Sequence, residues 1–441
     1  MSLPTADPYL PGHGDPSYSV RHYDLDLAYS VAGNRLSGDA TLTILTGQPL
    51  DRLVLDLAHL DVAKVRVAGA GLRHYRARSD RLVVTFRDEV AAGTELTLVV
   101  RYAGHPKPLV RKQHGDAGWE ELTDGVIVAG QPHGSPTWFP CNDRPDDKAT
   151  YRISVTTDPG YLVVANGRLV DRTRHGSSET WVHEQDEPMA TYLATVQIGR
   201  YADWQPPGIP DNGVPLRIVA PPDLDPAAFG AAFERQHEMV DVFSRLFGPY
   251  PFSGYTVVVT ADDLEIPLES QSLSTFGRNL VRGDWDAVRL IAHELAHQWF
   301  GNAVTLAQWR DIWLHEGFAC YAEWLWSEQS GDKPADEHAR AYWDRLSGLD
   351  QDLVLADPGP DLMFDDRVYK RGALTLHALR LTVGDDAFLA MLKDWLAEKR
   401  GGSVTTAEFT EFASAHTGRD LDELFEAWLR HPELPELPAS A

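Results

Sequence analysis

The sequence has few cysteines and no surplus of positive charge. Cys141 and Cys320 are the two cysteines of the 441-residue chain, too few for a framework of disulfides. Forty Lys and Arg residues stand against 65 Asp and Glu residues, which gives a net charge of −25. Nucleic acids and anionic membranes attract proteins rich in Lys and Arg, so this charge argues against both partners. We interpret the acidity as a solubility feature, with an acidic cleft for cationic or amine-bearing ligands as the alternative.

Long apolar runs are also missing. No stretch reaches the roughly 20 apolar residues that a membrane helix requires. The N-terminal segment has neither the basic start nor the apolar core of a secretory signal. With 43% hydrophobic and 24% charged residues, the composition is that of a folded protein rather than a disordered or membrane-embedded one. We therefore expect a soluble, cytoplasmic, globular protein of two or three domains.

The first half of the sequence alternates apolar and polar residues in short runs. Tyr23, Leu25, Leu27 and Tyr29 occupy every second position of YDLDLAY, and TLTIL, RLVVTF and YRISV are similar runs. Such alternation, with turn residues between the runs, is typical of antiparallel strands in a sandwich or saddle-shaped sheet. The stretch WQPPGIPDNGVPLRIVAPPDLDP is dense in Pro and Gly and indicates a linker or edge strand. We predict an all-β domain over residues 1–203.

After residue 203 the apolar residues mostly follow helical spacing. PAAFGAAFERQHEMVDVFSRLFG shows this spacing and ends at Gly248, a residue that suits a helix stop. From Trp285 onward, six further stretches read as helices, among them WDAVRLIAHELAHQWFG and WLHEGFACYAEWLWSEQ. We predict a second, mainly helical domain over residues 204–441, and hence an α+β fold class.

The most informative residues are His293, Glu294 and His297 in AHELAHQWF. On an α-helix, positions i and i+4 lie about 40° apart, so His293 and His297 project together, as two ligands of one tetrahedral zinc must. Glu294 leaves the same side of the helix, within reach of a water molecule there. Glu316 follows in a second helical stretch, and a His₂Glu set with an open fourth position is typical of a catalytic zinc. The alternative is a helix that carries the motif on its surface by chance.

Other carboxylates and thiols have plainer interpretations. Glu323 lies on the helical face of Glu316, where it either orients a ligand imidazole or points into solvent. Cys320 is interpreted as core packing rather than as a ligand. The adjacent acidic residues at 262–263 and 365–366 are interpreted as turn and surface carboxylates.

The stretch HELAHQWFGNAVTLAQWRDIWLHEGFACYAE resembles the core segment of the aminopeptidase N family of zinc aminopeptidases, gluzincins that include leukotriene-A hydrolase-like enzymes. Similarity continues in YDLDL, WFPCNDRPDDKATYRI, GYLVVANGRL and FGPYPFSGYTVVV, and so covers nearly the whole chain. The resemblance implies an antiparallel β saddle domain followed by a thermolysin-like catalytic domain. It also implies one zinc ion per chain, bound by His293, His297 and Glu316, with Glu294 as general base. The implied substrates are peptides with a free N-terminus.

The resemblance assigns further residues that spacing alone does not. Glu269, in IPLESQSLSTF, matches the glutamate of the family's G-A-M-E-N segment, which binds the substrate's α-amino group. Gln131 matches a first-domain residue that contacts the same group. Tyr369, in VYKRGA, matches the tyrosine whose hydroxyl stabilises the oxyanion of the tetrahedral intermediate.

Three positions depart from the family pattern. Pro267 stands in the exopeptidase segment, where it removes an N–H from the family's backbone pairing with the peptide. His315 replaces the usual Asn before the third zinc ligand, which suggests a change in the outer-shell contacts of the zinc site. VYKRG shifts the basic residue after Tyr369 by one place.

Several functional alternatives remain open. Family members commonly continue into further β and helical domains, so we expect a two-domain form with a more open cleft that accepts longer peptides. Alternatively, a partner subunit in a homo-oligomer closes the side of the cleft that those further domains would cover. An epoxide hydrolase, as in the bifunctional relative, is a second hypothesis, although we expect that relative's carboxylate-recognising domain to be absent. A non-catalytic scaffold is a third, against which the intact site residues argue. Glu269 disfavours an endopeptidase.

Overall fold

The computed structural model describes residues 6–205 and 213–439. These residues form two compact units that interleave along the chain. The first unit contains residues 6–205, 217–224 and 252–279, and the second contains 213–216, 225–251 and 280–439. The central part of the predicted linker, 206–212, lies outside the described residues. The domain boundary at residue 203 stays a prediction, because compact units do not show which segments fold on their own.

The first unit is built of strands. Among the described residues its nineteen strands are β1 (Tyr18–Ser30), β2 (Arg35–Thr46), β3 (Leu50–Asp56), β4 (Leu60–Ala68), β5 (Leu72–Arg78), β6 (Arg81–Val90), β7 (Glu95–Gly104), β8 (Leu109–Arg111), β9 (Gly115–Leu122), β10 (Gly125–Ala129), β11 (Lys148–Thr157), β12 (Leu162–Ala165), β13 (Arg168–His175), β14 (Ser178–Ala190), β15 (Val196–Gly199), β16 (Ala202–Trp204), β17 (Leu216–Ala220), β18 (Tyr255–Val259) and β19 (Leu273–Phe276).

These strands form four sheets. Their orders are β13-β14-β11-β1-β2-β7-β4, β12-β15-β10-β9-β8, β3-β6-β5 and β16-β17-β18-β19. Along β1 the alternating side chains of Tyr23, Leu25, Leu27 and Tyr29 are at most 3% exposed, as the period-two pattern predicts. β1 pairs with β2 from Tyr18 opposite Thr46 to Ser30 opposite Arg35. The β-rich character predicted for this part of the chain is confirmed.

Some strand details differ from the expectation. Two strand pairs are parallel: β1 with β11, and β18 with β19. β1 and β11 are far apart in the sequence, and β18 and β19 are joined by a crossover, so neither pair is a hairpin. Residues 260–272, which include Glu269, form the crossover between β18 and β19. The segment LRIVA, within the predicted linker or edge strand, forms β17 and lies inside its sheet rather than at the edge.

The second unit is mainly helical, as predicted. Its described helices and strands are α1 (Pro226–Phe233), α2 (Gln236–Phe247), α3 (Trp285–Ala296), β20 (Thr305–Leu306), α4 (Trp313–Gln329), α5 (Ala335–Ser347), α6 (Asp366–Val383), α7 (Asp385–Lys399), β21 (Ser403–Val404), α8 (Thr406–Thr417) and α9 (Asp422–Phe425), followed by a π-helical turn over Glu426–Arg430. Among the described residues, no helix combines the length and the apolar character that crossing a bilayer requires.

Two helical details also differ from what the sequence predicts. The stretch before Gly248 forms α1 and α2 rather than one helix, because the chain leaves helical geometry at Arg235, with φ −100° and ψ 11°. Gly248 ends α2 with φ +99°, a conformation that favours glycine. Sequence reasoning does not predict α5, since this helix is mostly polar and buries only Ala335, His338, Ala339 and Leu346.

Helices α3, α4 and α6 carry the candidate site. The side chain of Asp284 caps α3 by accepting a hydrogen bond of 3.2 Å from the backbone N–H of Ala287. Asp365 caps α6 in the same way through Arg367, which refines its interpretation as a turn carboxylate. Helix α4 is buried continuously from Trp313 to Ser327, so its polar side chains must find partners inside the unit.

Candidate active site

The two histidines of the H-E-x-x-H motif lie side by side at the end of α3. His293 is in the last turn, and His297 follows the last helical residue while keeping helical φ and ψ angles of −55° and −25°. The backbone N–H of His297 donates to the carbonyl oxygen of His293 at 3.2 Å, which continues the helical pattern by one residue. The two ring centroids are 4.8 Å apart. The predicted juxtaposition of the two imidazoles is therefore present.

Glu316, in the first turn of α4, completes a cluster of three. Its Oε2 atom lies 3.3 Å from Nε2 of His293 and 3.4 Å from Nε2 of His297. One ligand atom from each residue lies within 4.8 Å of the others, and all three residues are buried. Ligands at 2.0–2.1 Å from a tetrahedral zinc are separated by about 3.3 Å. The donor types and their spacing thus fit one zinc ion.

A second layer of contacts orients the two imidazoles. Nδ1 of His293 lies 2.8 Å from Oε1 of Glu323, and Nδ1 of His297 lies 3.0 Å from the carbonyl oxygen of Phe300. A carboxylate and a carbonyl only accept, so both Nδ1 atoms donate, and both Nε2 atoms are directed toward Glu316. Glu323 is 1% exposed, so the solvent-exposed alternative for this residue is wrong.

The buried carboxyls of α4 stay ionised because cations and imidazoles surround them. Burial alone would raise the pKa of Glu316, but His297 and His293 hold that pKa well below its ordinary value. Burial likewise opposes ionisation of Glu323, yet the charge of Lys370 and the hydrogen bond from His293 lower its pKa to about 2. Nη1 of Arg289 adds an ion pair at 3.3 Å to Oε2 of Glu323. The site therefore holds two buried negative charges at neutral pH.

Cys320 packs in the core beside this network, as its interpretation predicted. It is fully buried one turn after Glu316 and accepts a hydrogen bond of 3.2 Å from Nζ of Lys370. Burial raises the pKa of its thiol to about 12. It is not one of the three ligand residues found among the described part of the chain.

Glu294 and Tyr369 belong to the same unit as the metal-ligand cluster. Glu294 is buried in α3 directly after His293, with 4% exposure. Tyr369 is half-buried in the first turn of α6, and its ring stacks toward the imidazole of His293 at 6.1 Å between centroids and an angle of 17°. The structure thus brings the tyrosine ring beside a metal ligand.

Gln131 and Glu269 lie in the first unit. Gln131 follows β10 and is half-buried, and its Nε2 atom has no hydrogen-bond partner among the described residues. Glu269 is half-buried in the crossover before β19. The preceding Leu268 pairs with Thr275 through two backbone hydrogen bonds of 3.0 Å each, which fixes this part of the segment. The roles of Gln131 and Glu269 stay predictions.

Two residues at positions that depart from the family pattern, His315 and Arg371, make buried hydrogen bonds. Nε2 of His315 accepts a hydrogen bond of 2.7 Å from the backbone N–H of Leu306, so this residue ties α4 to the strand β20. Arg371, the second of the two basic residues that follow Tyr369, is buried. Its guanidinium donates to the backbone carbonyl oxygens of Trp428 and Glu433 near the C-terminus. Sequence reasoning missed the contact of Lys370 with Cys320, which joins residues 50 positions apart and leaves no local signal.

Both the sequence and the structure of the chain are similar to those of known proteins. Residues 19–193 match the peptidase M1 N-terminal domain, and residues 231–428 match the peptidase family M1 domain. An M1 zinc metallopeptidase from Deinococcus radiodurans, solved as a mutant with a bound Tyr-Ser-Ala substrate, is 32% identical with a TM-score of 0.90. The match covers 99% of this chain and 100% of that one. The chain belongs to peptidase family M1.

Longer members of the M1 family are more distant. Endoplasmic reticulum aminopeptidase 1 from Homo sapiens is 26% identical over 420 residues, which cover 86% of this chain and 44% of that protein. A probable M1 family aminopeptidase 2 from Encephalitozoon cuniculi is 25% identical over 460 residues, covering 94% and 51% respectively. The chain spans about half the length of the curated relatives it matches. The family membership and the His-His-Glu cluster together confirm the prediction of a zinc site.

Proposed function

We propose that this M1 protein is a zinc-dependent aminopeptidase that hydrolyses the N-terminal residue from peptides. The observation that carries the proposal is the convergence of Nε2 of His293, Nε2 of His297 and Oε2 of Glu316, with Glu294 directly after His293 on α3. A bound peptide in the Deinococcus radiodurans relative and the names of the longer relatives support a peptide substrate.

His293, His297 and Glu316 would hold the zinc ion through two imidazole nitrogens and one carboxylate oxygen. When bound, zinc supplies Lewis-acid chemistry that activates water and polarises the scissile carbonyl. Glu323 and the carbonyl of Phe300 fix the imidazole tautomers, so the two Nε2 atoms need no reorientation.

Glu294 acts as the general base. In support of this role, Glu294 directly follows His293 on α3 and lies about 60° around the helix axis from His297. It accepts a proton from the attacking water and then delivers that proton to the leaving amine, so the same group serves as base and acid. Its burial shields the proton transfer from bulk water.

Tyr369 stabilises the oxyanion of the tetrahedral intermediate. The phenol O–H is a hydrogen-bond donor, which a developing negative oxygen requires. The stacking of its ring toward His293 keeps this donor on the side of α6 that faces a zinc ligand.

Glu269 and Gln131 bind the free amino group of the substrate. An ammonium group donates hydrogen bonds only, and the Glu269 carboxylate and the Gln131 amide oxygen are both acceptors. Pro267, two residues before Glu269, contributes no backbone N–H, so recognition in this segment depends on the carboxylate.

Zinc removal and reconstitution test the proposal. We expect the purified chain to bind one zinc ion, to hydrolyse aminoacyl arylamides, to lose activity on chelation and to regain it with zinc. A chain that binds no zinc, or whose zinc-loaded form releases no amino acid, would contradict the proposed function. Hydrolysis of an epoxide without arylamide hydrolysis would favour the alternative activity.

A further inference from the structure

Helices α4 and α6 touch backbone to backbone at two glycines. A Cβ atom on Gly317 would lie 2.8 Å from Cα of Gly372 and 2.9 Å from its carbonyl carbon. A Cβ atom on Gly372 would lie 2.7 Å from Cα of Gly317. Real Cβ contacts are essentially never this short, so any larger residue at either position must separate the helices.

The reason for glycine here is packing and not backbone conformation. Neither Gly317 nor Gly372 is among the glycines with a positive φ angle, and both lie inside helices. Glycine inside a helix lowers stability relative to alanine, since it loses more conformational freedom on folding. Two such residues in direct contact therefore point to a requirement for close approach.

The glycine contact lies next to the candidate site on both helices. Gly317 directly follows the metal-ligating residue Glu316, and Gly372 is three residues after Tyr369, about one helical turn. The separation of α4 and α6 at this point therefore determines how far Tyr369 lies from the zinc ligands.

Neighbouring contacts oppose a rotation of α6 that would accommodate a wider gap. Nζ of Lys370 donates to Sγ of Cys320 on α4 at 3.2 Å. On the other side, the buried guanidinium of Arg371 donates to carbonyl oxygens of Leu353 at 3.2 Å and Trp428 at 3.0 Å. With α6 held from two directions, a wider gap displaces Tyr369 instead of being absorbed by helix rotation.

We propose that Gly317 and Gly372 are positioning residues that set the distance of Tyr369 from the zinc ligands. The inference rests on the proposed function, in which the Tyr369 hydroxyl acts on the oxyanion. A displacement on the order of 1 Å of a catalytic group lowers the rate by up to about 100-fold. We therefore expect Gly372→Ala to lower kcat at least about tenfold. KM should change less than about twofold, because the oxyanion forms only in the transition state.

A double variant separates positioning from a general effect on the fold. If the glycine acts through Tyr369, Gly372→Ala should lower kcat by less than about twofold in a Tyr369→Phe background, where the hydroxyl is already absent. Gly230→Ala is the matched control, since Gly230 lies in α1 and an added Cβ would meet nothing within 4 Å beyond its own chain neighbours and the adjacent backbone of α1. Its kcat should equal that of the unaltered chain.

The experiment measures kcat, KM, bound zinc and thermal unfolding for the parent chain, Gly372→Ala, Tyr369→Phe, the double variant and Gly230→Ala, with Gly317→Ala as a second glycine variant. An unchanged kcat in folded Gly372→Ala overturns the inference, and so does an equal loss with and without the Tyr369 hydroxyl. If neither glycine variant folds, the contact serves folding and the inference is likewise overturned. An inactive zinc-loaded parent chain instead contradicts the proposed function, so the two failures are distinguishable.

Discussion

Nδ1 of His293 donates a hydrogen bond of 2.8 Å to Oε1 of Glu323, seven residues after the metal-ligating Glu316 on α4. Arg289 pairs with the other carboxylate oxygen at 3.3 Å. One helix therefore supplies both a metal ligand and the group that orients a second ligand. The orientation is built from buried side chains, which hold the imidazole of His293 in place.

Removing the charge of Glu323 should weaken zinc binding. In Glu323→Gln the partner of His293 loses its negative charge, and the amide can donate as well as accept, so the imidazole tautomer is no longer fixed. We expect about 10- to 100-fold lower zinc affinity, measured by competition with a chelator of known affinity. Glu337→Gln is the control, because the Glu337 side chain is 60% exposed on α5. Equal zinc affinity in Glu323→Gln and the parent would show that Glu323 does not orient the ligand.

The motif residues could be predicted because their signal is local. His293 and His297 are related by helical spacing, and Glu316 opens the next strongly helical stretch, so the sequence predicts the metal-ligand cluster that the structure shows. The alternation in β1 likewise predicts its buried face.

Contacts between separate helices could not be predicted in this way. The pairing of Lys370 with Cys320 and the contact of Gly317 with Gly372 arise only when α4 and α6 pack together. The break at Arg235 between α1 and α2 was hidden because apolar spacing continues across it. Helix α5 was missed because few of its residues are buried.

Blocking the substrate's amino group tests the role of Glu269. We expect the chain to hydrolyse free peptides and to leave N-acetylated peptides intact, since acetylation removes the ammonium charge. Glu269→Gln should lower kcat/KM for free peptides roughly 10- to 100-fold, the expected effect of losing a charge-assisted hydrogen bond. Glu265→Gln, an exposed neighbour in the same segment, is the control. Cleavage of free and acetylated peptides at the same rate would exclude the exopeptidase assignment.

Asp147 makes the stability of the first unit depend on pH. Burial raises the pKa of this carboxyl from 3.8 to about 7, although the hydrogen bond from Asn142 opposes the change. The folded state therefore binds the additional proton between these pH values, and the free energy of unfolding falls as pH rises through this window. The difference between the two pKa values corresponds to at most about 4 kcal/mol.

Urea unfolding at pH 4 and pH 8 checks this dependence. Asp147→Asn cannot ionise, so its stability relative to the parent should improve as the pH is raised. Asp158→Asn, at an exposed position of the same unit, should leave the pH dependence of the parent unchanged. If the free energies of unfolding of the parent and Asp147→Asn change with pH in the same way, Asp147 is not the source of the pH dependence.

The most direct test of the proposed function compares the zinc-loaded parent with Glu294→Gln for hydrolysis of an aminoacyl arylamide. Asp286→Asn, an exposed acidic position on the same helix, is the control. We expect Glu294→Gln to keep its zinc and to lose at least about 100-fold in kcat, because the amide cannot accept the proton of the attacking water. A zinc-loaded Glu294→Gln variant with the kcat of the parent would show that Glu294 is not the general base.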